Sequence, residues 1–434
     1  MHSHALVLVH LSDLHLRADE LRGGEAGDAD IRNELREDLR RMSGEVGSVT
    51  GVLIGGDLAY AGKDEEYDYA VTWLQGVCEV LGVPRDHVWM VPGNHDVDRS
   101  AVARSKIIQG FHKAFRHTPE LSLEAVDDLL REYLVEDALG HTLLEPLSAY
   151  NRFALRFGCA TNHDALFWER DFDLNDGSTL RLRGVNSAVI SDGDDDTGVN
   201  RLVLGSRQAT MPRKQGLAYM VMCHHPPSDW LLNRDEVEDR LNSRAAIQLF
   251  GHKHRQRAWQ IEKTVRIQSG ALHPERNQQD WDPRYNVLAV WVDGSASGRE
   301  LVVRVWPRRW NPGAQEFRPD ADADGRPFWE RRVELSAWER PPEAELMDPA
   351  SIPMADVPGP AAEELMDLRE LIYDFLNLPY QDRMEITVGL GLIRAEDRGL
   401  TEAEQEARVL RRVKEEEGMS TKLDAAIRAR ASRF

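Results

Sequence analysis

Apolar residues follow two rhythms along this chain. Short, nearly continuous apolar runs at Ala5–Leu11, Gly51–Ile54 and His87–Val91 predict strands buried on both faces. Between them, Asp30–Met42 places Ile31, Leu35 and Leu39 at helical spacing, and a second helix is expected over Glu65–Leu81. Strand and helix in turn predict an α/β sheet with helices on its faces. Residues Arg99–Gly158 break the alternation. Leu121, Ala125, Leu129 and Leu130 fit a helical period, and the stretch reads as an inserted helical cap. Strands resume at Leu180–Ile190, Leu217–Cys223, Ala246–Phe250, Val265–Gln268 and Tyr285–Val292. The last of these forms a hairpin with Glu300–Trp306 around Asp293-Gly294-Ser295.

A change of character follows. Tryptophan- and arginine-rich sequence from Trp306 to Trp338 gives way to a stretch holding Pro341, Pro342, Pro349, Pro353, Pro358 and Pro360, with no sustained period. That composition predicts an extended linker over 340–360. Beyond it, 361–434 has the pattern of an all-α bundle. Leu365, Leu368, Leu371 and Ile372 form one stripe, and Pro379 starts a second helix. Thr401 with Glu404 opens a third, and a fourth spans Ser420–Arg430. The expected domains are therefore 1–339, with an insertion at about 99–158, and 361–434.

Composition narrows the field. The formal charge of the 434 residues is −20, a field that repels duplex nucleic acid at long range and favours a small substrate. Cys78, Cys159 and Cys223 are far apart and odd in number, which predicts reduced thiols with no disulfide framework. The N-terminal apolar run is too short for a signal peptide, and no apolar stretch is long enough to span a bilayer. A soluble, cytoplasmic protein is the expectation.

The chemistry is concentrated where strands end. Asp13-Leu14-His15, Gly56-Asp57, Gly93-Asn94-His95-Asp96, His224-His225-Pro226 and Gly251-His252-Lys253-His254 each follow a strand-like run. Polar groups beyond the carboxyl ends of strands form the sites of such sheets. Spacing i, i+2 in extended chain turns both side chains of D-x-H and of H-x-H to one side. Carboxylate, amide and imidazole suit divalent or trivalent ions such as Mn, Fe, Zn or Ni, and there are more donors than one zinc ion needs.

These five motifs, in this order, resemble the calcineurin-like metallophosphoesterases over about residues 6–335. The resemblance implies a four-layer α/β/β/α sandwich and a dinuclear metal site. It implies that Asp13, His15 and His254 hold one metal ion, that Asn94, His224 and His252 hold the other, and that Asp57 bridges them. It makes His95 the catalytic residue beside the substrate, with Asp96 orienting its ring. The implied reaction is hydrolysis of a phosphoester, with a phosphodiester such as a cyclic nucleotide or a nucleic-acid strand favoured. His225, Asn186 and Tyr60 are candidates for touching substrate. The alternatives are a phosphomonoesterase, or an interaction protein that works through its C-terminal helices.

Blander assignments apply elsewhere. His10 is expected to pack within its strand, and His87, His112, His117, His141, His163 and His273 default to surface or structural positions. Lys253, Arg255 and Arg257 are either a solvated rim or contacts for substrate phosphate. The acidic run Asp192–Asp196 lacks the spacing of a calcium loop and reads as a solvated turn. In the C-terminal part, the segment from Leu371 to Arg383 followed by Gly389–Leu392 resembles the effector-associated, death-like adaptor domains of bacterial conflict systems. That resemblance implies a protein partner and an effector role; dimerisation, or packing against the catalytic domain, is the other reading.

Overall fold

The computed structural model describes residues 5–18, 26–118, 121–136, 140–195, 201–273, 282–295, 298–322, 324–339, 371, 375, 380–394, 402–416 and 418–431. They fall into two compact units, Met1–Pro341 and Pro342–Phe434. The expected proline-rich linker at 340–360 lies outside the described residues.

The first unit begins with β1 (Leu6–Leu11), α1 (Ala26–Val46), β2 (Gly51–Ile54), α2 (Asp64–Leu81) and β3 (Val88–Met90). All three strands are buried along their whole length. They pair in parallel, β1 to β2 and β2 to β3, as two-sided burial under crossover helices requires. α1 runs beyond its expected ends at both termini, and α2 ends on Gly82 at φ 67, a left-handed cap that glycine adopts without strain. The predicted insertion consists of α3 (Arg99–Arg104), α4 (Lys106–His117), α5 (Leu123–Arg131), further helical turns and α6 (Ser148–Leu155). Asp98, Ser105 and Ser122 cap the first three of these helices through their side-chain oxygens.

After the insertion come β4 (Phe167–Asp173), β5 (Thr179–Val185), β6 (Leu217–Cys223), α7 (Arg234–Arg244), β7 (Ala245–Phe250), β8 (Arg257–Ile261) and β9 (Thr264–Gln268). The unit closes with β10 (Arg284–Asp293), β11 (Glu300–Asn311), β12 (Glu316–Pro319) and β13 (Trp329–Glu334). Two sheets result. One has the order β12-β11-β10-β1-β2-β3 with β13 also on β11, and the other has the order β4-β5-β6-β7-β9-β8. The sheets pack on one another within a single apolar core, with α1 and α2 on one side and α7 on the other, which is the expected four-layer sandwich. Their edges meet where Trp168 Nε1 donates to Met90 O at 2.9 Å and Trp89 stands edge-on to Phe172.

Sequence pattern missed two strands, β4 and β8. Both are edge strands carrying several charges, so neither shows an apolar run. The Trp- and Arg-rich stretch is also more regular than expected, because it carries the end of β11 and all of β12 and β13. The acidic run is a turn only partly solvated: Asp194 is exposed, Asp195 is not, and Asp196 lies outside the described residues. Arg116 pairs with Asp192, and Asp195 is buried, accepting from Ser191 Oγ and from the Asp192 N–H. A buried cluster ties α1 to the sheet. Arg308 grips Asp38 with Nη2 and Nε at 2.7 and 2.8 Å, and Tyr285 donates to the same carboxylate at 2.6 Å.

In the second unit, α8 (Tyr380–Gly389), α9 (Glu402–Glu415) and α10 (Met419–Ala431) match the three later helices expected there. Most of the first predicted helix, and Thr401 of the proposed cap, lie outside the described residues. Leu371 and Phe375 from that stretch join Ile386, Leu392, Val409, Val413, Leu423 and Ile427 in a small core.

Candidate metal centre

The ends of β1, β2, β3, β6 and β7 lie together at one pole of the sandwich. Their loops are cross-bonded. Asp13 N and His15 N donate to the carbonyls of Gly56 and Asp57, and Gly251 N donates to His224 O. The turn after β9 closes the ring, since His273 N donates to Asp13 O at 3.0 Å.

Backbone conformation marks the same loops. Among the described residues, seven other than glycine have φ in the left-handed region: Asp13, His15, Asp57, His252, His254, Glu262 and Gln315. Five of those seven were singled out from sequence as metal donors. Each such residue costs of order 1 kcal/mol, a strain that persists only where surrounding structure holds it, and it concentrates at working sites. Glycines make room for the crowding. A Cβ on Gly56 would fall 2.4 Å from His224 Nδ1, and one on Gly93 would fall 2.1 Å from Asp57 Oδ1.

The donor atoms converge. Asp13, His15 and His254 offer atoms within 4.8 Å of one another, and so do Asp13, Asp57 and His224, then His224, His225 and His252, then His15, Asp57 and His95. The groups share members and form one continuous cluster. Asp13, Asp57, Asn94, His224 and His225 are fully or almost fully buried, while His95, His252 and His254 are half-buried and face the opening. Two atoms test whether cations fit. Asp13 Oδ1 and His224 Nε2 are buried and make no hydrogen bond among the described residues. Yet His224 Nε2 lies 3.2 Å from Asp57 Oδ2, and Asp13 Oδ1 lies 3.2 Å from His254 Nε2. Donor atoms facing each other without hydrogen-bond geometry, in a set of carboxylates and imidazoles, suit a divalent cation between them.

Electrostatics agree. Burial alone would raise the Asp13 carboxyl, but His254 and His224 hold it below its usual range. Burial opposes ionisation of Asp57 too, and His224, His95 and His15 outweigh it. Burial would lower His224, but the pull of Asp57 and Asp13 raises it to about 9. The carboxylates that draw a proton onto His224 would draw a metal cation equally well. His225 is lowered by burial and by its neighbours His252 and His224.

The remaining candidates divide. His95 donates its backbone N–H to Asp57 Oδ1 at 2.7 Å, and its Nδ1 lies 2.7 Å from the Tyr60 carbonyl. Tyr60 therefore stands beside the site, its ring 5.5 Å from that of His95. Asp96 does not orient His95. Its carboxylate accepts from the N–H groups of Leu58, Ala59 and Gly93 and from Tyr67 OH, and so clamps the loops after β2 and β3 together. The adjacent position in sequence misleads here, because i and i+1 side chains diverge. Asn186 does not reach the site. It is fully buried, with Nδ2 donating to Thr161 and Oδ1 accepting from Ala188 N, which makes it a loop anchor. His225 sits against His252, ring centroids 4.5 Å apart, with Nδ1 at Ser187 Oγ. Sequence reasoning passed over Arg17, whose guanidinium lies 3.6 Å over the Tyr60 ring, and Ser12, which donates to Asp13 Oδ2. It also left His273 at a surface or structural position with no link to the site, although its carbonyl accepts from His15 Nδ1 at 3.2 Å. No motif spacing flags any of the three.

Residues 6–256 match the sequence profile described as Calcineurin-like phosphoesterase, and residues 367–429 match that of the GTPase-associated adaptor domain. No curated protein matches the chain. Among solved structures, vacuolar protein sorting 29 from Cryptosporidium parvum is 11% identical with a TM-score of 0.33, over 77% of this chain and 100% of that one. A putative 5'-nucleotidase from Staphylococcus aureus is 14% identical with a TM-score of 0.31, over 67% of this chain and 51% of that one. A purple acid phosphatase from yellow lupin is 11% identical with a TM-score of 0.40, over 76% of this chain and 54% of that one.

Proposed function

Because the chain belongs to the calcineurin-like phosphoesterase family, we propose that it is a dinuclear metal-dependent hydrolase of phosphodiesters. The observation that carries this reading is the coincidence of left-handed strain with donor chemistry at Asp13, His15, Asp57, His252 and His254. In this reading Asp13, His15 and His254 hold one ion, Asn94, His224 and His252 hold the other, and Asp57 bridges. His225 is a reserve donor on the second side. The identity of the ions lies among Mn, Fe, Zn and Ni.

Two such ions would neutralise the ester's charge and make water between them acidic enough to attack phosphorus near neutral pH. The protein's own groups do the rest. Tyr60 O holds Nδ1 of His95 as a donor, which leaves Nε2 as the atom that, when it also carries a proton, can pass it to the leaving oxygen. Burial of the carboxylates keeps bulk water from screening them. Arg17 and Tyr60 form the wall next to His95 and would contact the leaving group. The negative charge of the whole chain favours a small diester, such as a cyclic nucleotide, over duplex nucleic acid.

We place the catalytic domain at 1–339, a linker at 340–360 and an adaptor domain at 361–434, which would recruit the enzyme to a protein partner as an effector of a bacterial conflict system. None of the described helices is long and apolar enough to cross a membrane, and a cytoplasmic site of action is part of this proposal. The test is a phosphoester panel with added Mn, Ni, Fe or Zn. Turnover of bis-p-nitrophenyl phosphate well above that of p-nitrophenyl phosphate supports a diesterase; the reverse order supports a monoesterase. A metal-replete protein inert on every ester, yet binding a partner through 361–434, would support the interaction-protein reading.

A further inference from the structure

At the pole opposite the candidate metal centre, where β6, β7 and β9 begin, lies a cleft of about 580 Å³. Strand β6 separates the two poles, and its seven residues span about 20 Å. Five cations line the cleft, Arg213, Lys214, Arg244, Lys263 and Arg299, against the single carboxylate of Glu334. On a chain with a net charge of −20, this is a local reversal of sign.

The cations differ in how they are engaged. Arg299 is buried in the wall and spent on structure, bonding Asp176, Ser178 and the Ser336 carbonyl. Lys263 pairs with Glu334 at 2.9 Å. The side chains of Arg213, Lys214 and Arg244 are exposed, and among the described residues none of the three is held in a side-chain hydrogen bond or a close ion pair; Lys214 acts only at longer range, where it helps to lower the Asp171 carboxyl. The rest of the wall is closely packed. Trp338 lies on Gly216, where a Cβ would fall 2.3 Å from the indole Nε1, and φ is 71. Arg299 backs the same indole at 5.1 Å. Three cations whose side chains are not spent on structure thus come from two separate segments, the turn before β6 and the end of α7, onto one cavity.

We propose that this cleft is a binding site for a small oligoanion of the phosphate-chain class. Guanidinium forks and an ammonium offer the donors that phosphate oxygens take up. The cavity is far larger than one phosphate group needs, and the spread of charge over three side chains matches several linked phosphates. Long nucleic acid is disfavoured, since the chain as a whole carries a net charge of −20. The site is independent of the proposed catalytic chemistry, from which β6 separates it.

Isothermal titration of the full-length protein with tripolyphosphate and with ATP tests the proposal. Asp57→Asn serves as the control for anions held at the metal centre. Saturable binding to the Asp57→Asn protein is expected, weakened by about tenfold for each cation removed as Arg213→Ser, Lys214→Ser and Arg244→Ser are combined. Equal affinity for both ligands would identify a free polyphosphate chain; tighter binding of ATP would identify a nucleotide. The single substitutions lie on the surface and keep the test usable should the triple variant lose its fold. Binding that vanishes in Asp57→Asn, binding untouched by the serine substitutions, or no binding at all would each overturn the proposal.

Discussion

Nδ1 of His95 lies 2.7 Å from the carbonyl oxygen of Tyr60, which can only accept, so that nitrogen carries the proton and Nε2 is the ring nitrogen this bond leaves over. The partner is a backbone atom, set by the loop after β2, and no side-chain substitution at position 60 removes it. His95→Ala should therefore leave the donor set intact. The expected outcome is metal content unchanged by elemental analysis and a fall in kcat of about 10²–10⁴-fold. A variant as active as the parent would remove His95 from the reaction.

Asp57 is nearly fully buried, lies within 3.3 Å of both His15 and His224, and accepts the His95 N–H. Asp57→Asn keeps the shape and removes the charge. Metal content and activity are expected to fall together, by an order of magnitude or more in affinity, because a neutral amide cannot bridge two cations.

Asp96 separates two roles that adjacent residues are easily given. Its carboxylate holds three backbone N–H groups and Tyr67 OH. Asp96→Asn should lower thermal stability by about 1–3 kcal/mol through lost acceptors. The pH profile of kcat should keep its shape. A shifted limb of that profile would instead tie Asp96 to the His95 ring.

Gly93 gives a steric test. Its added Cβ would fall 2.1 Å from Asp57 Oδ1, so Gly93→Ala should displace the carboxylate and reduce metal binding. Gly82→Ala is the control. It meets open space at φ 67, so it should lower stability by about 1 kcal/mol and leave activity alone.

His112 predicts a pH dependence of folding. It is buried in α4, and burial together with nearby Arg116 lowers its pKa from 6.5 to about 4. The folded state then resists protonation that the unfolded chain accepts. Its contribution is complete above about pH 6.5 and is lost as pH falls from 6.5 towards 4. Between pH 7.5 and 5.5 the parent should lose about 1 kcal/mol more stability than His112→Leu, read from denaturant melts at both values. Equal losses would mean that the imidazole is hydrated in solution.

Much of this molecule was legible in one dimension. β1, β2, β3, β6, β7 and β9 announce themselves as apolar runs because burial on both faces admits almost no polar residue. The donor motifs stand out because each occupies the few positions where such a run stops. A run of five motifs in order identifies the family without any coordinate. What the chain could not disclose is whatever depends on residues far apart in sequence meeting in space. The edge strands β4 and β8 carry charges because one side of each is solvated, which erases the pattern. The pairing of His95 with the Tyr60 carbonyl, the clamp made by Asp96 and the inward anchoring of Asn186 each turn on a backbone group, and backbone groups carry no sequence signature. The left-handed turns at Asp13, Asp57 and His254 are likewise imposed by the loops packed around them. Their residue types alone would not choose that conformation. The basic cleft before β6 joins cations from segments some thirty residues apart, and only the register of the second sheet brings Arg213 and Lys214 onto one wall with Arg244.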